Sequence, residues 1–493
     1  MIIDSSRRGG VAGGGSAQHI TYPPSRFFAL DGVRATAMLL GVVYHSLLFR
    51  MFAGGPPPGP PGNGDVSRYV QDWLHSFRMP LFFLISGFFG RMMLEKYALG
   101  EYLRRRWIRI GVPMLVCMFT FGPAYVLTRE VTMGRPGGGP PGPMGARGSN
   151  AMPPPLPGFV PPGGGAAGRF APPPGPGFRP GGPPPGPFGP PGGALSARLF
   201  GSSARYFQLN HLWFLWYLLL FVTAAPWVAR VLGWILLRPT PEAADRAGLW
   251  LVRAGLAPVV LGLVGAPALM LTWSPFGWSL GLPPAIFRAF PDFLLHLDPD
   301  MAFFFVFFLA GWWLHRQRAG LPSIASVWLP NLILGLAAFA DAMRLGDFYG
   351  SRPETPGLGM IRVEGYVLYS LGSALTGFAL LGFFQRYLDR PGRVGRYLAD
   401  TALWVYLVHQ PLVLVGLALA RPWRLAWWSQ TVLVSAFAVA VALLLYELLV
   451  RPTPLVRLFG PAGFRPRPRP AELGPSWLSP APEPRNQRST SVG

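Results

Sequence analysis

The stretch "LDGVRATAMLLGVVYHSLLF", Leu30 to Phe49, decides how the rest of the chain is read. It has the length and apolarity of a membrane helix, for which about 20 residues suffice. Yet Asp31, Arg34 and His45 lie in it. Ionisable side chains are costly in hydrocarbon, so they face a bundle interior or a polar cavity. In a helix Arg34 and His45, 11 positions apart, are close to three turns from each other. They therefore share a face, with roughly 16 Å of helix between them. Asp31 lies one turn before Arg34 and can pair with it. With the apolar span starting at Ala35, Arg34 sits at one boundary, and His45 is about halfway across a core of about 30 Å. A lone histidine there is read either as interhelical glue or as part of a functional cavity. Three polar residues on one face favour the cavity.

Composition agrees with a membrane setting. Of 493 residues, 51% are apolar and 13% charged, against about a quarter charged in an average soluble domain. Lysine plus arginine number 43 and the acids 21, giving +22. The arginines are spread over loops rather than gathered on one domain, which argues against a nucleic-acid partner. The single cysteine, Cys117, excludes an intramolecular disulfide and a multi-cysteine metal site, and no metal is expected. The first 25 residues contain no contiguous apolar run of the kind a cleavable signal peptide needs.

Ten segments are predicted to span: 28–51, 74–94, 107–128, 210–237, 254–273, 300–315, 325–344, 364–384, 400–420 and 429–450. The fifth is interrupted by Gly and Pro. Basic residues bias the orientation. The segments 1–26, 91–109, 230–253, 316–318, 386–396 and 451–488 hold 26 of them, and the short segments on the other side hold 9. Both termini are therefore expected in the cytoplasm. Gly and Pro make up 41 of the 63 residues in 131–193. No regular G-X-Y triplet runs through them, so collagen is excluded, and such a composition cannot offset its ordering entropy.

The predicted fold is thus an all-α integral membrane protein of about ten transmembrane helices. A cytoplasmic tail (1–26) precedes helices 1–3 (27–130). A disordered Gly/Pro-rich extracytoplasmic loop (131–205) leads to helices 4–10 (206–455), and a disordered cytoplasmic tail (456–493) ends the chain.

Other segments carry candidate functional groups. "HSFRMPLFFLISGFFGRMML" places His75 and Arg78 at the outer start of the second span and Ser86-Gly87 at its middle, where small residues allow close helix approach. "EYLRRRWIRIGVP" clusters Arg104, Arg105, Arg106 and Arg109 at the inner face. That cluster is either positive-inside anchoring or a phosphate clamp, since Arg106 and Arg109 lie one turn apart. "NHLWFLWYLLLF" brings His211 and Trp213 to the fourth span. Trp213, Trp216 and Tyr217 suit an interfacial aromatic belt. "LWVYLVHQPLVL" puts His409 within the ninth span, Glu364 opens the eighth, and Glu447 closes the tenth. Either glutamate is equally well read as a solvated helix terminus.

Together "LDGVRATAMLLGVVYH", "HSFRMPLFFLISGFF", "RRRWIRIGVP", "HLWFL", "VYLVHQPL" and "LLYELLVRPTPL", in that order, resemble the membrane acyltransferase-3 family. The likeness is greatest to its periplasmic-glucan succinyltransferase branch. The resemblance implies a multi-pass enzyme of the bacterial cytoplasmic (inner) membrane. It would move an acyl group, succinyl or acetyl, from cytoplasmic acyl-CoA to a hydroxyl of an extracytoplasmic glycan. The family's essential Arg and His fall on Arg34 and His45, and its acyl-CoA-associated Arg pair falls on Arg106 and Arg109. On this reading His45, Arg34 and Asp31 are catalytic, with His45 a general base or a nucleophile. Arg105, Arg106 and Arg109 hold the donor. Arg78, Ser86, His211, Trp213, Glu364 and His409 line the substrate site, Arg78 meeting the free carboxylate of a succinyl group. Membrane lipid and a glycan are the expected partners. The 131–193 insertion departs from the family's shorter loop. The rival class is a transporter or flippase, which would show internal repeats; the distinctive motifs here occur once each.

Overall fold

The computed structural model describes residues 27–52, 66–133, 194–236, 241–271, 289–295, 297–351, 358–389 and 392–460. The N-terminal tail, the 53–64 segment, most of the Gly/Pro-rich insertion and the Arg-Pro repeats after 460 lie outside them. Among the described residues the protein is all helical, with one isolated β-bridge between Gln208 and Ala289.

The first part comprises α1 (Phe28–Phe52), α2 (Val66–Lys96) and α3 (Leu99–Arg106), which continues through a π turn at Trp107–Gly111 into α4 (Val112–Met133). After the insertion come α5 (Ala194–Phe200), α6 (Trp213–Leu236), α7 (Pro241–Arg253), α8 (Ala257–Met270) and α9 (Asp300–Arg316). The last part comprises α10 (Leu321–Ile324), α11 (Trp328–Ser351), α12 (Leu358–Tyr387), α13 (Arg393–Ala420), α14 (Trp427–Leu445) and α15 (Val456–Phe459).

Seven of these helical stretches are long and apolar enough to cross a membrane. Two further predicted spans are bent pairs. Helices α7 and α8 meet at 106°, and the 318–324 turn meets α11 at 76°. The first bend is a Schellman stop: Gly255 has φ +74, and Leu256 N–H donates to Leu251 C=O at 3.0 Å. Helix α8 alone has 14 residues, about 21 Å of helix, too short for the apolar core. Helix α9 has 17 residues, and four of its five phenylalanines, Phe303, Phe304, Phe307 and Phe308, are buried inside the protein.

Several boundaries differ from those read in the sequence. Helix α2 starts at Val66, eight residues before the apolar run, because its polar first turns have partners. Arg68 lies 3.6 Å from Asp72 one turn on, and both Arg68 and Tyr69 bond Asp347 of α11, at 3.2 and 3.1 Å. Residues 194–205, placed in the disordered loop, belong to α5 and to the 3-10 turn that follows it, Gly201–Phe207. Residues 456–459, placed in the disordered tail, form α15, where Val456 and Phe459 are buried and Phe459 packs on Trp404. Trp213, Trp216 and Tyr217 are not an interfacial belt. All three are buried, and the Tyr217 hydroxyl is taken up inside the protein, 3.0 Å from Asp298 Oδ2.

Close approach of α2 and α9 is fixed by two glycines. A Cβ on Gly87 would run into the Phe308 carbonyl, and one on Gly311 into the Leu84 carbonyl. Backbone-to-backbone packing of this kind substitutes for the hydrophobic drive that lipid removes. Beside the crossing, Phe83 meets Phe214, Phe221 and Phe304 with ring centroids 4.8, 5.0 and 5.2 Å away.

Helices α1 and α13 lie side by side and parallel. Arg34 Nη2 donates to Ala399 C=O at 3.3 Å, and His45 meets His409. These pairs are 365 and 364 residues apart, so the register is constant over three turns. Asp389, on the link entering α13, accepts the Ala29 N–H at 3.0 Å. It thereby satisfies one of the orphan donors at the start of α1.

Candidate active site

Two polar groups lie along the α1–α13 seam. The first is at the start of α1. Arg34 lies 3.3 Å from Asp31. Arg106 Nη2 donates to Phe89 C=O at 3.0 Å, and Arg109 Nη2 to Gly460 C=O at 2.8 Å. The three guanidinium groups are near enough to act on one another electrostatically. Arg106 Nε is buried and has no hydrogen-bond partner among the described residues. Pro113 explains the local backbone: it has no N–H to give the Arg109 carbonyl, and the ladder opens into the π turn that carries Arg109. Three cations, one paired carboxylate and an unused buried donor suit a phosphate-bearing ligand.

Arg105, expected with this group, is not there. It is exposed, pairs with Glu101 and lies over the Tyr97 ring at 4.4 Å. Arg104 is exposed and pairs with Glu101 too. Of the four arginines in "LRRRWIR", the fold turns only Arg106 and Arg109 toward Arg34.

The second group lies three turns along α1. His45 Nδ1 is 2.8 Å from the Gly41 carbonyl and 3.0 Å from His409 Nε2. His409 Nδ1 is 2.6 Å from the Tyr406 carbonyl. A carbonyl only accepts, so in the neutral rings both Nδ1 atoms carry the hydrogen. His45 Nδ1–H is then shared between Gly41 C=O and His409 Nε2, and His45 Nε2 is left bare. His409 and His211 are buried while His45 is only partly so. The bare nitrogen therefore belongs to the ring that retains access.

His211 is delivered by a 3-10 turn, Asn210–Leu212, entered through Asn210 at φ 45. A left-handed backbone is one that Asn tolerates. A reciprocal clasp fixes it to α13: Tyr406 O–H donates to His211 C=O, and His211 Nε2–H to Leu407 C=O at 3.1 Å. Its ring centroid lies 5.4 Å from that of His409. His211 Nδ1 and Gln410 Oε1 are buried and have no hydrogen-bond partner among the described residues. With His45 Nε2, these acceptors suit a ligand that brings hydroxyl groups.

From α2, Arg78 reaches the same place. It is buried, with its guanidinium carbon 5.0 Å from the Tyr44 ring centroid and one nitrogen against Gly41. Tyr44 is also stacked on His75 at 5.0 Å. Motif spacing pointed to His45, Arg78, His211 and His409. It did not point to Gly41, Tyr44, Tyr406 and Gln410, although each lies within four residues of a flagged histidine.

The remaining expected site residues fall elsewhere. Glu364 is exposed on α12. Trp213 is a core aromatic packed on Tyr217 and Phe304. Ser86 is partly exposed beside the Gly87 crossing. Glu447 is taken by Arg451 and by the Tyr397 hydroxyl at 2.9 Å. Among the described residues no His/Cys/Asp/Glu group has metal-binding geometry.

The protein belongs to the acyltransferase-3 family: the model of that acyltransferase domain matches residues 27–447. It is a multi-pass membrane acyltransferase. Among curated relatives it is similar to glucans biosynthesis protein C of Escherichia coli O139:H28 (strain E24377A), 24% identical over 438 residues, which covers 87% of this chain and 93% of the relative. The same protein of Escherichia coli O9:H4 (strain HS) is 24% identical over 433 residues, with the same coverage. No solved structure matches.

Proposed function

We propose that the enzyme transfers a succinyl or acetyl group from acyl-CoA to a hydroxyl of a periplasmic glucan, in a bacterial inner membrane with both termini cytoplasmic. The observation that carries this reading is the His45–His409 contact, which leaves His45 Nε2 bare at mid-helix between an arginine group and a set of hydroxyl acceptors. The 26-to-9 charge bias supports a cytoplasmic arginine end. Arg34, Arg106 and Arg109 would hold the nucleotide phosphates there, with the thiol arm running along the α1–α13 seam. The name of the relatives, glucans biosynthesis protein C, supports a glucan acceptor.

The chemistry follows from the tautomer. His45 Nε2 takes the proton of the acceptor hydroxyl as its oxygen attacks the thioester carbon. The tetrahedral adduct collapses, the carbon–sulfur bond breaks, and His45 Nε2–H returns the proton to the leaving thiolate. The products are a glucan ester and free CoA thiol. His409 holds the imidazole in the required tautomer throughout.

The test uses purified full-length protein in nanodiscs with radiolabelled succinyl-CoA or acetyl-CoA and periplasmic glucan. Label is expected in the glucan as a base-labile ester. A folded protein that turns over neither donor overturns the reading. Mass spectrometry of envelope glycans from a deletion strain, compared with its parent, checks the acceptor.

A further inference from the structure

Arg78 is the buried cation of this site. Its side chain makes no ion pair with any described residue, and its buried Nε has no hydrogen-bond partner. Its electrostatic neighbours with opposite tendency are the Tyr44 and Tyr406 hydroxyls, not carboxylates. An uncompensated buried cation is costly unless an anion joins it during function. The sequence alone suggested the distal carboxylate of a succinyl group as that anion.

The depth of the guanidinium points elsewhere. One nitrogen occupies the notch left by the missing side chain of Gly41. Gly41 is four residues before His45, about 6 Å along the helix, on the side toward Arg34. On the reading above, the donor enters from the Arg34 end with its thioester carbon at His45. Its sulfur then lies on the Arg34 side of His45, the rest of the acyl chain lies beyond it, and the carbonyl oxygen projects sideways between the two. A cation one turn toward Arg34 is within reach of the carbonyl oxygen and on the opposite side from the far carboxylate.

We propose that Arg78, seated in the Gly41 notch, donates to the oxyanion formed when the acceptor hydroxyl adds to the thioester. The oxygen takes up the carbonyl electron pair as the new carbon–oxygen bond forms, and it returns the pair as the carbon–sulfur bond breaks. A preorganised donor at such a point raises the rate of the chemical step far more than it raises ground-state affinity. The role does not depend on what the acyl chain carries at its other end.

This inference rests on the acyl-CoA reading, and the experiment separates the two. Wild type, Arg78→Gln, Arg78→Lys and Gly41→Ala proteins in nanodiscs are compared with both succinyl-CoA and acetyl-CoA. Arg78→Gln is expected to lower kcat about 10²- to 10³-fold with both donors, with donor KM within about threefold. Arg78→Lys recovers part of the loss. Gly41→Ala keeps the arginine but fills its notch, and kcat falls with both donors alike. It also serves if Arg78→Gln fails to fold. A loss confined to succinyl-CoA and seated in KM overturns the proposal in favour of a carboxylate subsite, as does unchanged kcat in either variant. A wild-type protein inert toward both donors overturns the acyl-CoA reading itself, and this inference with it.

Discussion

His409 Nε2 lies 3.0 Å from His45 Nδ1, joining two helices that are parallel neighbours in space and 364 residues apart in the chain. The arrangement makes different demands on the two rings. On the proposed chemistry His45 supplies a bare Nε2, whereas His409 only helps hold the hydrogen on the far side. His45→Ala is therefore expected to lower kcat about 10²- to 10⁴-fold while the folded protein still binds acyl-CoA. His409→Ala should give a smaller loss with a changed pH–rate profile and near-normal donor affinity. Steady-state kinetics across pH on both variants checks this. Equal and complete loss of donor binding in both would mean that the pair is structural.

Arginines adjacent in sequence should behave oppositely. Arg106 and Arg109 face Arg34, while Arg105 is exposed and paired with Glu101. Charge-assisted hydrogen bonds are worth about 1.5–3 kcal/mol each, so Arg106→Ala should raise the acyl-CoA dissociation constant at least about tenfold. Arg105→Ala removes a surface pair worth at most about 1 kcal/mol and should leave binding near wild type. Titration of a fluorescent acyl-CoA analogue reads both. The donor site is misplaced if Arg105→Ala proves the more damaging.

The α2–α9 crossing tolerates no added atoms. A methyl group at Gly87 or Gly311 meets a backbone carbonyl, which a rotamer change cannot relieve. Gly311→Ala should cost about 1–3 kcal/mol or more, seen as a lower melting temperature in detergent. Gly359→Ala, with open space around its Cβ, is the control and should not be destabilised in this way. A Gly311→Ala protein as stable as wild type would contradict the packing described.

Asp389 caps α1 from a distant part of the chain through the Ala29 N–H. Asp389→Ala should cost about 1 kcal/mol, and Asp389→Asn, which keeps an acceptor oxygen, less. Thermal melts of the two variants side by side decide it. Equal melting temperatures for both variants and wild type would show that water satisfies the same amide.

The sequence made the helices legible because hydrocarbon demands long apolar runs, and each predicted span has a helical counterpart. The bends at Gly255 and before Trp328 were not legible, since a run of apolar residues does not say where its axis turns. The first helix declared its polar face through the spacing of Arg34 and His45. Its partner His409 could be flagged only as another polar residue in an apolar run, because the α1–α13 register is a tertiary fact with no local trace. Charge alone could not sort Arg105 from Arg106; that depends on which side of α3 meets α2. Trp213 misled for a related reason: an aromatic at a helix start looks the same whether it meets headgroups or other aromatics.

The parallel register of α1 and α13 also bears on how the enzyme is made. Synthesis at about 5–20 residues per second puts roughly 20–70 s between the emergence of His45 and that of His409. Throughout that interval the first helix sits in the membrane with its histidine and arginine lacking their α13 partners. Products interrupted before α13 carry His45 and its Gly41 carbonyl without the second ring of the pair. On the proposed chemistry, full activity arrives only with the penultimate span, and incomplete chains would turn over donor more slowly.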